Sequence, residues 1–250
     1  VTGASGTVGA REVKNAPKDG YTLLHFHDSI HTTFYTGVSD ISYKDFDPIC
    51  LQTSTPSVLA AYGKAPWKDM AELIADAKKR PEQITMGATM GSTSHFFPAL
   101  AQKAGIKWKY VTYEGTAPRM TALLGGHILL GETNLTQIDK VKAGQMKMLA
   151  IATEKRLPEI PDVPTLKELG IDVVYAVNRG LVAPKGTPDA ALAKLEGACL
   201  FAARQPAVAE SMKKLGTLVV GLGRKAYLEF FQKEDKLNAD LAQALGYTRK

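Results

Sequence analysis

Short apolar runs alternate along this chain with longer segments of helical periodicity, and this alternation limits the possible folds more than any other feature. Between residues 70 and 77, four apolar residues repeat at the spacing of one helix face, and a basic run follows before Pro81. Residues 58–62, by contrast, form a short apolar run typical of a strand. Strands that alternate with helices indicate an α/β protein whose mainly parallel sheets are flanked by helices.

The same patterns predict the other elements. The predicted strands are residues 21–26, 49–52, 58–62, 84–87, 108–112, 128–130, 148–152, 173–177 and 181–183. The predicted helices are residues 70–80, 94–105 (with Phe97, Leu100 and Ala104 inward), 117–125, 187–205 (with Thr187 as its cap), 206–216 and 226–245. Four prolines in residues 157–164 exclude a helix or a central strand there, so we expect a rigid connector.

Two segments lack a helix on one or both sides, and they set the expected domain organisation. Residues 49–62 and 173–183 could each cross from one lobe to another. We therefore expect a hinged protein with a cleft between two lobes. The first lobe would comprise residues 1–57 and 177–250, and the second residues 58–176.

Charge, hydropathy and cysteine count exclude several functional classes. The net charge of +6 is spread along the chain without a basic stripe interleaved with aromatics, so we expect no nucleic-acid partner. The longest apolar runs fall far short of the roughly 20 residues that a membrane-spanning helix needs. Two cysteines, Cys50 and Cys199, are too few for a disulfide framework or a zinc site, and we expect buried free thiols.

The glycine-rich opening, residues 2–9, is similar to the phosphate-binding turn of short-chain dehydrogenases. That mechanism needs a strand directly before the turn, whereas this chain begins at the turn. It also needs a tyrosine followed four residues later by a lysine, and none of the nine tyrosines has one. We favour a tight turn leading into a helix, and keep a dinucleotide-dependent oxidoreductase as the alternative.

Glycines and hydroxyl residues cluster between residues 87 and 95, where a predicted strand gives way to a helix. The first turn of a helix has unpaired N–H groups and favours negative charge, so this loop suits a carboxylate or a phosphate. A helix cap that serves stability alone explains the pattern equally well. A Ser92–His95 nucleophile pair lacks both the expected turn motif and an orienting acid. Residues 113–118 repeat the order of strand, glycine–threonine turn and helix start.

Two further groups of polar residues have two interpretations each. His25, His27, Asp28 and His31 are typical metal-ligand types, but a complete ligand set is not evident, so we expect no metal and place Asp28 in a cleft loop. Arg179 lies between two apolar strand runs. It could bind a carboxylate through two N–H groups or form a salt bridge at a strand edge.

Several of these segments, taken in order, resemble the extracytoplasmic solute-binding receptors of tripartite tricarboxylate transporters, the Bug family. The resemblance spans nearly the whole chain and is specific as an ordered set. Its segments are DGYTLL (19–24), STPSVL (54–59), MGATMGSTSH (86–95), VTYEGTAP (111–118), LLGG (123–126), PDVPT (161–165) and GLVAP (180–184).

This resemblance implies a two-lobed type II periplasmic-binding-protein fold and a periplasmic location. It also implies a monomer without enzymatic activity or cofactor, which captures a small organic mono- or dicarboxylate in the interlobe cleft and delivers it to membrane permease subunits. A ligand-sensing domain of a transcription regulator shares this fold and is a second alternative. The positions that match the family's ligand loops are Asp28, Ser29, Gly91, Ser92, Thr93, Ser94, Thr116, Ala117 and Arg179.

Two departures from the family pattern lead to further expectations. Members normally have another strand, a glycine-rich ligand loop and a helix ahead of the first residue here, so we expect an N-terminally incomplete first lobe. His25, His27 and His31 stand where small polar residues are usual in the cleft loop. We expect selectivity to differ accordingly, towards a larger or aromatic acid.

Overall fold

The computed structural model describes residues 4–100 and 105–247. The strands are β1 (Leu24–His27), β2 (Phe46–Pro56), β3 (Val58–Tyr62), β4 (Thr85–Ala88), β5 (Lys109–Thr112), β6 (Leu130–Thr133), β7 (Met146–Ile151), β8 (Ala176–Pro184) and β9 (Leu218–Gly223). The α-helices are α1 (Thr7–Lys14), α2 (Ser29–Tyr35), α3 (Met70–Lys79), α4 (Thr93–Leu100), α5 (Thr116–Leu124), α6 (Ile138–Lys142), α7 (Asp189–Ala203), α8 (Pro206–Lys214) and α9 (Arg224–Ala244).

The chain forms two compact units, each built on its own sheet. Unit 1 comprises Val1–Thr55 and Val177–Lys250, and unit 2 comprises Pro56–Ala176. The chain therefore enters unit 2 once and returns once. Among the described residues, every helix is too short or too polar to cross a membrane.

Unit 1 contains a four-stranded sheet in the order β1-β8-β2-β9. Strand β1 runs antiparallel to β8, and β2 runs antiparallel to β9. Aromatic side chains from the sheet and from α9 form its core. The ring centroids of Phe26 and Phe231 lie 4.7 Å apart, and those of Tyr227 and Phe231 lie 4.1 Å apart. Burial of such large side chains is the main favourable term in folding.

Unit 2 contains a five-stranded sheet in the order β5-β4-β6-β3-β7. Strand β4 runs parallel to β5 and β6, whereas β3 runs antiparallel to β6 and β7. The carboxyl ends of β4, β5 and β6 therefore meet at one edge of the sheet, where ligands bind in many open α/β sheets.

Helix α3 shows how local sequence fixes an element. The Asp69 side chain accepts a hydrogen bond from the Glu72 N–H at 2.9 Å and so caps the first turn. Met70, Leu73 and Ala77 are buried along one face, and Lys78 and Lys79 lie in the last turn, where cations complement the helix dipole.

The predicted α/β alternation is confirmed, but several elements differ, and β9, α2 and α6 were not predicted. Of the strands expected at residues 173–177 and 181–183, residues 173–175 lie outside any strand, and the rest belong to one continuous strand, β8 (Ala176–Pro184). Helix α7 begins at Asp189, because the Thr187 hydroxyl donates to the Pro184 carbonyl instead of capping the helix. The sheets are mixed rather than mainly parallel, because β3 and β8 enter their sheets directly from the other unit, without the helix that a parallel connection needs. Ala104 lies outside the described residues.

The prediction of free thiols is wrong. Cys50 in β2 and Cys199 in α7 form a disulfide bond, although 149 positions separate them in the sequence. Unit 1 is assembled from both ends of the chain, so folding brings their Cα atoms to 6.5 Å from each other. Sequence spacing alone gives no measure of that proximity.

Candidate functional site

The loop that follows β4 in unit 2 is a tight turn into helix α4. Gly91 adopts a φ of 74°, a left-handed conformation that glycine adopts without steric cost. The Ser92 hydroxyl donates to the Thr89 carbonyl at 2.7 Å and accepts from the Ser94 N–H at 3.3 Å. Ser92 is thus the N-cap of α4, as its position predicts.

Ser94 completes a small hydroxyl network in the same loop. Its Oγ accepts a hydrogen bond from the Thr89 N–H at 3.1 Å and lies 2.9 Å from the Ser92 Oγ. Both serines therefore hold the shape of the loop. Between them, Thr93 is buried, and neither its N–H nor its hydroxyl is hydrogen-bonded to another described residue. Thr93 is thus a donor that this loop leaves available.

The second turn lies between β5 and α5. Gly115 has a φ of 103°, and no side chain caps the helix that follows. The N–H groups of Thr116 and Ala117 consequently have no acceptor among the described residues, and the next residue, Pro118, has no N–H at all. Thr116 and Ala117 are exposed, so these donors are open to a ligand.

The structure places these two turns side by side. Strands β4 and β5 are parallel neighbours, with Ala88 paired to Thr112 at their ends. Beyond the strands, the Tyr113 N–H donates to the Ala88 carbonyl at 2.9 Å, and the Gly115 N–H donates to the Thr89 Oγ1 at 3.2 Å. Two helix N-termini therefore lie at one sheet edge with unused amide donors, an arrangement that favours an anion.

A buried ion pair joins Arg119 of α5 to Glu132 of β6, and it was not predicted from the sequence. The Arg119 Nη2 donates to the Glu132 Oε2 at 3.0 Å, and the Ser57 hydroxyl donates to the Glu132 Oε1 at 3.0 Å. Gly87 leaves room for the arginine, because a Cβ there would lie 3.0 Å from the Arg119 Cγ. Arg119 precedes Leu123 by one helical turn on the buried face, and this spacing was the available signal.

His95 is a buried aromatic neighbour rather than half of a nucleophile pair. Its ring packs edge-on against Tyr110 at 4.9 Å between centroids, and burial lowers its pKa to about 4. The Ser92 hydroxyl, which such a pair would need, donates to Thr89 instead.

In unit 1, Asp28 and Ser29 form the start of helix α2 rather than the predicted cleft loop. The Asp28 Oδ2 accepts hydrogen bonds from the backbone N–H and the side-chain amide of Asn178, at 2.7 and 2.8 Å. Burial, and secondly the charge of Glu234, raise the pKa of Asp28 well above its ordinary value. The Ser29 hydroxyl donates to the Ser5 carbonyl at 3.0 Å.

Arg179 lies inside the continuous strand β8, not between two strands as expected. It is paired in register with His27 of β1. Its Nη1 donates to the Thr55 Oγ1 at 3.2 Å, and the Thr55 Oγ1 lies 2.9 Å from the Thr217 Oγ1. The guanidinium is therefore held on the sheet by a chain of hydroxyl groups.

The three histidines of this region occupy two different environments. His25 and His27 are two residues apart in β1, so their side chains lie on the same face of the sheet. His31, expected in the cleft loop, is instead a core residue in contact with the rings of Phe26, Tyr43 and Phe231. In the part of the chain that the structure describes, no group of three or more His, Cys, Asp or Glu residues could hold a metal ion.

The glycine-rich opening is a turn that leads into α1, as favoured from the sequence. Gly6 has a φ of 92° and precedes the first helical residue, Thr7. Thr2 and Gly3 lie outside the described residues.

A family model described as "Tripartite tricarboxylate transporter family receptor" matches residues 1–247. The chain belongs to this family. The resemblance inferred from the ordered segments is thus confirmed, and with it the α/β periplasmic-binding-protein fold of two lobes. The family is one of solute-binding receptors located in the periplasm that work with tripartite transporters. The comparisons do not support the oxidoreductase or the regulator.

Individual relatives show how far the likeness extends. The "UPF0065 protein in gbd 5'region" of Cupriavidus necator is 32% identical over 99% of this chain and 76% of its own length. MatC from Rhodopseudomonas palustris, solved with bound malate, is 29% identical with a TM-score of 0.85, over 96% of this chain and 85% of its own. Rpa4515 from R. palustris, solved with adipate, is 26% identical with a TM-score of 0.85, over 97% and 85%.

Proposed function

We propose that this receptor binds a small organic mono- or dicarboxylate and delivers it to the permease subunits of a tripartite transporter. The observation that carries the proposal is the pair of adjacent helix starts in unit 2, tied together by the hydrogen bond from the Gly115 N–H to the Thr89 Oγ1. Malate and adipate in the two structural relatives are acids of the proposed class.

In this proposal one carboxylate is bound by N–H donors rather than by a charged side chain. The N–H and hydroxyl of Thr93 serve one helix start, and the N–H groups of Thr116 and Ala117 serve the other. Gly91, Ser92 and Ser94 maintain the turn that presents Thr93. Fixed amide dipoles bind an anion without the ordering cost of a long flexible side chain. Asp28, Ser29 and Arg179 remain predicted contacts for the rest of the ligand.

We also propose that the protein acts in the periplasm as a monomeric, non-enzymatic receptor. The Cys50–Cys199 disulfide supports this location, because disulfides persist in oxidising compartments such as the bacterial periplasm and are rare in the cytosol. The family's role as transport receptors supports the permease as the partner.

A substitution at Thr116 tests the amide donors directly. Thr116→Pro removes the N–H at the first helical position, which proline tolerates, and the ψ of −176° at the preceding Gly115 lies outside the helical region that proline disfavours in the residue before it. Thr116→Ala is the matched control, because it keeps the N–H and loses only the hydroxyl and methyl groups of the side chain.

The wild-type protein is first screened by thermal shift against citrate, malate, adipate, glutamate and aromatic carboxylates. Calorimetric titration with the tightest acid follows for both variants. We expect Thr116→Pro to bind about tenfold or more weakly, since a hydrogen bond to a charged group contributes roughly 1.5–3 kcal/mol. Thr116→Ala should bind within about threefold of the wild type. Equal affinity of all three proteins would place the carboxylate elsewhere, and no binding of any acid would contradict the proposed function.

A further inference from the structure

Helix α5 is linked to the rest of unit 2 by one polar side chain, that of Arg119. No side chain caps the helix at Gly115. Of the side chains of α5, Arg119 alone hydrogen-bonds to a described residue outside the helix. The buried side chains of Met120, Ala122 and Leu123 also hold the helix on the sheet. Apolar packing is not directional, so it defines the rotation of a helix about its own axis less sharply than a charged hydrogen bond does.

The Arg119 side chain follows a defined path to the sheet. Its aliphatic part passes β4 at Gly87, where a Cβ would lie 3.0 Å from the Arg119 Cγ. Its Nη2 donates to the Glu132 Oε2 at 3.0 Å and to the Glu132 carbonyl at 3.4 Å. The Arg119 and Glu132 side chains are only 3% and 12% exposed, so water competes little for these hydrogen bonds. Helix α5 is thereby tied across β4 to β6.

Glu132 is itself held from a third strand. Its Oε1 accepts a hydrogen bond from the Ser57 hydroxyl at 3.0 Å. The backbone of Ser57 is fixed in turn, because its N–H donates to the Tyr175 carbonyl at 3.1 Å and its carbonyl accepts from the Ala152 N–H at 3.0 Å. All of these residues belong to unit 2. The guanidinium therefore meets an acceptor whose position is set by the sheet and not by α5.

A buried ion pair is weak evidence for stability by itself. The cost of removing two charges from water offsets much of their attraction, and apolar residues of similar volume often give an equally stable or more stable protein. A buried pair can instead select one arrangement of the chain. Arg119 follows Thr116 by three residues, less than one helical turn. A rotation of α5 would therefore move the N–H groups of Thr116 and Ala117 as well.

We propose that Arg119 and Glu132 are positioning residues, whose ion pair fixes the rotation of α5 and so directs the N–H groups of Thr116 and Ala117 at the carboxylate. The inference rests on the proposed function, because it requires a carboxylate at these donors. Donors that are already ordered bind a ligand more tightly than donors that binding must first order. The ion pair therefore raises the affinity for the acid without contacting it.

Two substitutions at Glu132 separate its position from its charge, because both remove the same negative charge. Glu132→Gln keeps an oxygen acceptor for the Arg119 Nη2 and a polar atom for the Ser57 hydroxyl, whereas Glu132→Met keeps neither. The Arg119→Met/Glu132→Met variant removes the whole pair and leaves no uncompensated buried charge. It therefore keeps the role testable if Glu132→Met does not fold.

The control is Arg156→Met/Glu168→Met. This exposed pair of unit 2 has the same residue types and the same separation of 3.0 Å, and its other hydrogen bonds go to Pro161 and Thr165. Each variant is characterised by urea unfolding and by calorimetric titration. The titrant is the acid that the wild type binds most tightly among citrate, malate, adipate, glutamate and aromatic carboxylates.

We expect Arg119→Met/Glu132→Met to bind the acid about tenfold more weakly than the wild type, although it is at least as stable in urea. Glu132→Gln should match the wild type within about threefold or bind more tightly, and Glu132→Met should bind about tenfold more weakly than Glu132→Gln. The control should stay within about threefold of the wild type. Equal affinity of the two Glu132 variants, wild-type affinity of the double variant, an equal loss in the control, or affinity that only follows stability would overturn the positioning role.

Thr116→Pro distinguishes this failure from a failure of the proposed function. If Thr116→Pro weakens binding and the ion-pair variants do not, the positioning role is wrong and the receptor function stands. If Thr116→Pro binds like the wild type, or if the wild type binds none of the acids, the proposed carboxylate site is wrong and the positioning role falls with it.

Discussion

The Cys50–Cys199 disulfide is expected to supply a large part of the stability of unit 1. The bond joins a strand in the interior of the sheet, β2, to helix α7 and closes a loop with a sequence separation of 149. In the chain-entropy model, a loop of this length in the unfolded state corresponds to about 5 kcal/mol. Since whole domains are stable by only about 5–15 kcal/mol, loss of the bond would leave unit 1 marginally stable.

Urea unfolding of three forms measures this contribution. The forms are the oxidised protein, the same protein reduced by dithiothreitol, and the Cys50→Ala/Cys199→Ala variant. Both tryptophans, Trp67 and Trp108, lie in unit 2, so tryptophan fluorescence follows that unit, whereas far-UV circular dichroism follows both. We expect reduction to lower the free energy of unfolding by about 2–5 kcal/mol in the dichroism transition, with a smaller shift in fluorescence.

Comparison of the reduced protein with the variant separates the bond from the packing of its sulfur atoms, because only the variant also loses those atoms. A decrease below about 1 kcal/mol on reduction would refute the reasoning, since the closed loop would then add almost nothing to the stability of the folded state.

Two further predictions concern Gly87 and His95 of unit 2, and Gly197 in α7 provides the control for the first. Gly87→Ala should lower the free energy of unfolding by about 1–3 kcal/mol in urea, because its Cβ would lie 2.3 Å from the Ile128 Cδ1. Gly197→Ala, which has open space, should instead raise it by about 0.5–1 kcal/mol, and an equal loss in both would contradict the packing argument. The pKa of His95 is lower in the folded protein than in the unfolded chain, so protonation of this ring favours the unfolded chain. As the pH falls from about 6.5 to 4, the free energy of unfolding should therefore decrease by up to about 3 kcal/mol. His95→Phe should flatten this slope in urea melts at several pH values, and an unchanged slope would argue against a buried neutral ring.

Features that depend on neighbours in the sequence could be predicted. Helix α3 was predicted because its apolar spacing and its basic last turn lie within a dozen residues. The two turns before α4 and α5 were predicted for the same reason, since glycines, hydroxyl residues and a helix start follow one another directly.

Features that depend on contacts between distant parts of the chain could not be predicted. The disulfide and the bond from Asn178 to Asp28 join residues about 150 positions apart. His31 was assigned to the cleft loop from the family pattern, whereas its ring packs into the core of unit 1. Tertiary packing determines the environment of these side chains, and the local sequence pattern carries no information about that packing.

A crystal structure of this protein with bound adipate or malate tests the account most directly. We predict that the oxygens of one carboxylate lie within hydrogen-bonding distance, about 2.7–3.2 Å, of the backbone nitrogens of Thr93, Thr116 and Ala117. A carboxylate bound elsewhere, with these three N–H groups in contact only with water, would contradict it.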